Sequence, residues 1–207
     1  MTLRIVTPPA GYPITLAEAK AQLRVSDTSN EAIIQALIPA ATVFCQSLVQ
    51  RVFVAQTLEW VLPCWRSCLE IPIAPVAAGD IASIKYVDWA TQTQQTLDPA
   101  LYVVQTIGDS VRIVPKFSET WPLVFANAPE PVVVRFDAGY DDPLDLPGNV
   151  KAAILLMLRH LYTAGEVNLT VSSDTVYGLG QKQYSVPADL MTLIPVAVRD
   201  LMLDQVW

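Results

Sequence analysis

Apolar residues along this chain change their period twice, from helical to alternating and back again. Thr15-Leu-Ala-Glu18 has the residues of a capping box, in which the threonine hydroxyl caps the backbone and the glutamate returns the bond. It predicts a short helix to about Arg24, ended by the polar run Ser26 to Asn30. Ile34, Leu37, Ile38, Ala41, Phe44, Cys45 and Leu48 then recur every three or four residues and predict a second helix over about Asn30 to Gln50. Pro39 falls inside it and removes a backbone donor, so a kink is expected there.

From Val52 the pattern shortens. The β-rich runs are Phe53 to Leu62, Leu69 to Ile73, Ile81 to Trp89, Gln94 to Leu97, Leu101 to Ile107, Val111 to Pro115 and Val132 to Phe136. Turn residues separate them and no helical period intervenes, which implies an antiparallel sheet or small barrel rather than βαβ units. After Pro147, Val150, Ala153, Ile154, Met157, Leu158 and Leu161 form a stripe that Leu155 and Leu156 widen. A helix apolar on more than one face is either central or shared with a neighbouring subunit. Ala164 to Val186 reads as a long polar loop. Pro187 and Pro195 divide the rest of the chain, leaving a last helix to about Gln205.

The expected fold is therefore α+β, a small α-helical bundle core with an inserted antiparallel β-rich subdomain. Residues 1–51 supply its N-terminal helices, 52–140 the insertion, and 141–207 the C-terminal helices with the loop at 164–186.

Composition narrows the classes of function. With 52% hydrophobic and 16% charged residues in 207, the chain is not a disordered one. Its net charge of −7 supplies no counterion-release attraction to phosphate, so an extended grip on nucleic acid is not expected. Cys45, Cys64 and Cys68 cannot all pair, and with one histidine they fall short of a zinc quartet; reduced, mostly buried thiols are expected. The N-terminus lacks the apolar stretch of a signal peptide, and no unbroken apolar run predicts a membrane span.

Candidate chemistry is sparse. Gly178-Leu-Gly180 lacks the strand–turn–helix context of a nucleotide fingerprint. Asp137, Asp141, Asp142 and Asp145 cluster, but an EF-type loop counted from Asp137 would need glycine and glutamate where Asp142 and Gly148 stand. His160 has no nucleophile motif beside it, and Gly-x-Ser-x-Gly is absent. Trp60, Trp65, Trp89, Trp121 and Trp207 lie mostly in or beside β segments, where aromatic rows either bind sugars or fill cores and contacts. No catalytic residue, metal or cofactor is expected.

Three blocks in order carry a family likeness. The first is Ile14-Thr-Leu-Ala-Glu-Ala-Lys-Ala-Gln-Leu-Arg-Val25 with Ile33, Leu37, Ile38, Ala40, Ala41, Arg51 and Gln56-Thr57. The second is Leu69-Glu-Ile-Pro-Ile-Ala-Pro-Val76 leading into Ile81-Ala-Ser-Ile-Lys-Tyr-Val-Asp88. The third is Val134-Arg-Phe-Asp-Ala-Gly-Tyr140, Pro147, Asn149-Val-Lys-Ala-Ala153 and Leu161-Tyr162. Together they resemble the head–tail connector (adaptor, or head-completion) proteins of long-tailed double-stranded DNA phages and prophages.

The resemblance implies a non-enzymatic adaptor, made in the host cytoplasm and built into the virion neck. Copies would form a ring, expected to be twelve-fold, between the portal protein and a neck stopper or tail-terminator protein. DNA would pass through without being specifically bound, and no membrane is involved. On this reading Leu155, Leu156 and Arg159 form a subunit interface, and Asp141, Asp142 and Asp145 keep the channel or its rim from holding DNA. The C-terminal segment, with Ile194, Val198, Leu201, Met202 and Trp207, docks on the portal; the opposing expectation is that its helix closes the core. The rival function is a non-catalytic carbohydrate- or ligand-binding β module on a helical scaffold, and behind it an acid–base enzyme using the acidic turn.

Overall fold

The computed structural model describes residues 2–142, 145–166, 173–176, 180–183 and 195–203, and it divides the chain into two compact units. The first takes Met1–Gly11 and Gln50–Asp145, the second Tyr12–Val49 and Leu146–Trp207. Each is thus made from two separated stretches of chain.

The first unit holds β1 (Thr2–Thr7), β2 (Gln56–Leu62), β3 (Leu69–Glu70), β4 (Ile81–Val87), β5 (Gln94–Thr96), β6 (Tyr102–Ile107), β7 (Ser110–Pro115) and β8 (Val132–Ala138). They form a five-stranded sheet in the order β1-β2-β8-β4-β5 and a three-stranded sheet in the order β3-β7-β6, with every strand pair antiparallel. Alternation along the strands decides which face is buried. Leu58, Trp60 and Leu62 of β2 stand opposite Phe136, Val134 and Val132 of β8. These six join Leu69, Val111 and Ile113 of the smaller sheet in a single apolar cluster.

The other face of the large sheet carries charge. Arg4, Glu59 and Arg135 are direct cross-strand neighbours on β1, β2 and β8. Glu59 is 6% exposed and accepts from Arg4 Nε at 2.7 Å and from Arg135 Nε at 2.8 Å, while Arg4 also pairs with Glu130. Burial works to raise the Glu59 pKa, but the hydrogen bonds from Arg4 and Arg135 outweigh it and hold the carboxyl below its ordinary value of 4.5.

One glycine is required by geometry. Gly139 follows β8 at φ +109°, and a Cβ there would stand 2.5 Å from the Val54 backbone carbonyl. Its N–H donates to Pro75 O at 3.1 Å, and the next residue's carbonyl accepts from Ala55 N at 3.0 Å. Only a residue without a side chain fits so close a backbone crossing.

The second unit contains α1 (Leu16–Leu23), α2 (Glu31–Val49), α3 (Gly148–Glu166) and α4 (Val196–Leu203), with β9 (Ser173–Val176) and β10 (Gly180–Gln183) paired antiparallel. The Thr15 capping box forms in full: Glu18 N donates to Thr15 Oγ1 at 3.2 Å and Thr15 N to Glu18 Oε2 at 2.8 Å. Glu18 also takes a 2.6 Å ion pair from Lys151 on α3, and these bonds lower its pKa. α2 runs as one helix through Pro39. Its buried stripe is Ile34, Ile38, Ala41 and Cys45, and the helix packs against α1, α3 and α4. α3 touches the other three helices and buries Val150, Ala153, Ile154, Met157 and Leu158, so of the two roles open to it within this unit it takes the central one.

Several expectations need correction. Residues 2–7 are a strand of the β unit, not part of the helical N-terminus; every one of them is exposed, so no burial pattern marks the strand in the sequence. The polar segment at 164–186 is not all loop: α3 continues through Glu166, and β9 and β10 follow. Ser-Asp-Thr-Val and Gly-Gln-Lys-Gln lack the apolar alternation that identifies a strand. Against the expectation of no membrane-length apolar segment, α2 is apolar enough to cross a bilayer by length and composition, with mean hydropathy 1.8. The surplus comes from apolar positions off the buried stripe, chiefly Ile33 and Val43, 54% and 60% exposed. Gly178 and Pro187 lie outside the described residues.

Candidate interaction surfaces

The acidic turn leaves the large sheet directly after β8. Asp137, still on the strand, accepts from Thr57 Oγ1 at 2.6 Å, so it is committed to the sheet. Asp141, Asp142 and Asp145 are exposed, and Asp145 N donates to Asp142 O at 3.0 Å, which folds the segment back on itself. Among the described residues no three His, Cys, Asp or Glu side chains are grouped to hold a metal ion. The turn presents charge to solvent and is not arranged as a ligand cage.

α3 presents its remaining face through Leu155, Leu156 and Arg159. The two leucines are half-buried and the arginine exposed, so this face is apolar at its centre and charged at one end.

The C-terminal helix sorts its own residues. Val198 is fully buried and Met202 2% exposed, both on a helix that packs against α3 and α2. Asn149 Nδ2 donates to Leu201 O at 3.3 Å, tying the end of α4 to the start of α3. Val198 and Met202 are therefore buried within the helical unit, which is the opposing expectation for this helix, that it closes the core. Helical spacing shows which residues share a face but not whether that face looks inward. Leu201 is half-buried; Ile194 and Trp207 lie outside the described residues.

A cleft not anticipated from sequence opens between the first turn of α2 and the last turns of α3. It holds about 280 Å³ and is lined by Asn30, Ile33, Leu37, Leu161, Tyr162 and Gly165. Asn30 Nδ2 donates to Tyr162 Oη at 3.0 Å. The signal for it in the sequence is Ile33, an apolar residue one position off the buried stripe of its helix.

The four described tryptophans do not form an open row. Trp60 is 1% exposed in the β core, and Trp65 and Trp121 pack against that core, stacked on each other with centroids 4.8 Å apart. Trp121 Nε1 donates to Arg66 O at 2.6 Å. Trp89 is 59% exposed beside Phe125. A sugar-binding platform needs several aromatic faces presented together, and three of these four are turned inward.

Of the thiols, Cys45 is buried and pushed up to about 12 by burial, Cys64 is exposed and Cys68 half-buried. His160 is half-buried on α3.

The fold, an antiparallel β unit and a helical unit each built from two chain segments, is similar to that of chains in gene transfer agent particles. A chain in the neck of an empty gene transfer agent (GTA) particle, computed with C6 symmetry, matches at TM-score 0.68 and 20% identity, over 97% of this chain and 94% of that one. A chain in the virion of a native GTA particle matches at TM-score 0.68 and 19% identity, with the same coverage. A third, in the neck of the native GTA particle computed with C12 symmetry, matches at TM-score 0.60 and 20% identity over 97% and 93%. No protein-family model matches the sequence, and no curated protein matches it.

Proposed function

We propose that this chain is a structural component of the neck of a tailed-phage-type particle, an adaptor ring between the portal and the next neck or tail protein. The observation that carries the reading is the fold: nearly the whole chain superposes on nearly the whole of a GTA neck chain, so both units have counterparts there. The three sequence blocks point the same way, independently of the coordinates.

On this reading the copies form a closed ring of twelve, extending the DNA channel from the portal toward a stopper or tail-terminator protein. Its role is structural rather than enzymatic. Ring closure needs two different patches on each copy, and we assign Leu155, Leu156 and Arg159 to such a contact. The exposed Asp141, Asp142 and Asp145 face the channel or its rim, where negative charge keeps passing DNA from being held. The portal contact lies in the C-terminal segment and falls to Ile194, Leu201 and Trp207, with Val198 and Met202 supporting the helix from inside.

The test is to mix the full chain with the portal protein of the same particle and image the product. A ring seated on the portal, with subunits matching the portal's symmetry, is expected. A portal that stays bare at saturating adaptor overturns the reading. Oligosaccharide binding by the free chain, lost on Trp89→Ala, would return the carbohydrate-module alternative.

A further inference from the structure

The β unit has two sheet edges that stay open over several residues, and they differ from each other. Edge strands expose unpaired backbone N–H and C=O groups, and proteins guard them with short length, charge, proline or a bulge. β5, at one edge of the large sheet, is guarded: it has three residues, all polar and exposed. β3, at one edge of the small sheet, has only two.

β1 and β6 are different. β1 has six exposed residues, among them Leu3, Ile5 and Val6 at 37%, 60% and 39% exposure. Leu3 and Ile5 lie opposite Trp60 and Leu58, so they carry the apolar core face out to the open edge. Its one charge, Arg4, is already held by Glu59 and Glu130. A register shift between Ile5 and Thr7 limits the regular stretch to Thr2–Ile5. β6 also has six residues, Tyr-Val-Val-Gln-Thr-Ile, with no charge and no proline, and Val103 and Ile107 are 41% and 49% exposed. Among the described residues neither strand has a ladder partner on its outer side.

We infer that β1 of one copy pairs with β6 of the next, and that this edge-to-edge junction is a repeating contact of the assembly. The occupant of each edge is a second copy of this chain, because the ring reading sets copies side by side and the two edges fit in charge: both are open ladders flanked by aliphatic side chains, and uncharged β6 receives the one cation of β1 with no like charge opposite it. A β1-to-β1 pairing would instead bring the two Arg4 residues to one edge, and like charges across strands are unfavourable. Two unlike edges make a heterologous contact, which propagates and closes into a ring when the rotation allows. Both edges belong to one compact unit, so each copy presents them at a fixed separation. The inference rests on the ring reading and makes this edge junction, rather than the α3 face, the contact that holds free copies together.

Complementation tests it. Ile5→Lys blocks the β1 edge and Val103→Lys/Ile107→Lys the β6 edge; all three positions are exposed, and unchanged circular dichroism and unfolding midpoint verify that the variants fold. Size-exclusion chromatography with light scattering, over rising concentration, reads the assembly. The wild type is expected to form species above monomer. Each variant alone should lose them, while an equal mixture should give dimers and nothing larger, joined through the one intact junction. A wild type that stays monomeric throughout overturns the pairing as a self-sufficient contact, and portal imaging then decides the ring reading separately. Variants that assemble as the wild type does overturn the edge junction and leave the ring standing. A mixture that stays monomeric, or a β6-blocked variant that dimerises alone, overturns the heterologous β1–β6 geometry.

Discussion

Truncating Met202 separates the two roles open to the C-terminal helix. If α4 closes the helical core, Met202→Ala removes a buried side chain from the helical unit and leaves a cavity. Such losses cost about 2–5 kcal/mol, depending on how far the surroundings relax. α4 has only eight residues, so its neighbours can close in, and the lower part of that range, about 2–3 kcal/mol, is expected. Val198→Ala removes two buried methyl groups, about 1.5 kcal/mol at roughly 0.8 kcal/mol each. For a chain of this size each kcal/mol moves the melting temperature by about 2–4 °C, which puts Met202→Ala at about 5–10 °C. Val196→Ala, at a position 52% exposed, is the control and should stay within about 0.5 kcal/mol. Thermal and urea unfolding of the free protein, followed by helical circular dichroism because the two units can unfold separately, gives all three values. An unchanged midpoint for Met202→Ala, together with lost portal binding, would refute the core role and restore this side chain as a docking contact.

Gly139→Ala should destabilise the β unit by more than about 2 kcal/mol or prevent folding, because φ +109° is strained for alanine and its Cβ meets the Val54 backbone; a variant melting with the wild type would show that the crossing relaxes. The Glu59 carboxyl titrates below its ordinary 4.5, so its contribution is full above that value and fades as pH falls through the lower folded-state value. Glu59→Gln should cost about 1.5–3 kcal/mol at neutral pH and flatten the acid limb of the stability curve, measured by urea unfolding across pH; an unaltered acid limb would remove Glu59 as its source. Changing Asp141, Asp142 and Asp145 to lysine should create DNA binding that weakens steeply with salt, and background binding at low salt would take the turn off the DNA path. A thiol reagent at pH 8 should label Cys64 in the folded protein and reach Cys45 only on unfolding, since burial holds that thiol near 12.

Where burial imposed a period, the sequence determined the element. The Thr15-Glu18 box marks a helix start by its two side chains alone. The stripe from Ile34 to Cys45, the alternation of Leu58, Trp60 and Leu62, and the stripe from Val150 to Leu158 each identify an element by themselves, because each has a wet side and a dry side. The third sequence block holds Gly139, but only the chain crossing shows why glycine is needed there. Elements without an apolar alternation in sequence left no trace: β1 is exposed along its length, and Ser-Asp-Thr-Val and Gly-Gln-Lys-Gln of β9 and β10 carry no alternating pattern. Tertiary structure alone decided direction and partnership. It buried Val198 and Met202, attached residues 2–7 to a sheet whose next strand begins at Gln56, and gathered Arg4, Glu59 and Arg135 into one row. It also left β1 and β6 open at two edges. Strand order is a long-range property, fixed by which faces pack together, and local period carries no record of it.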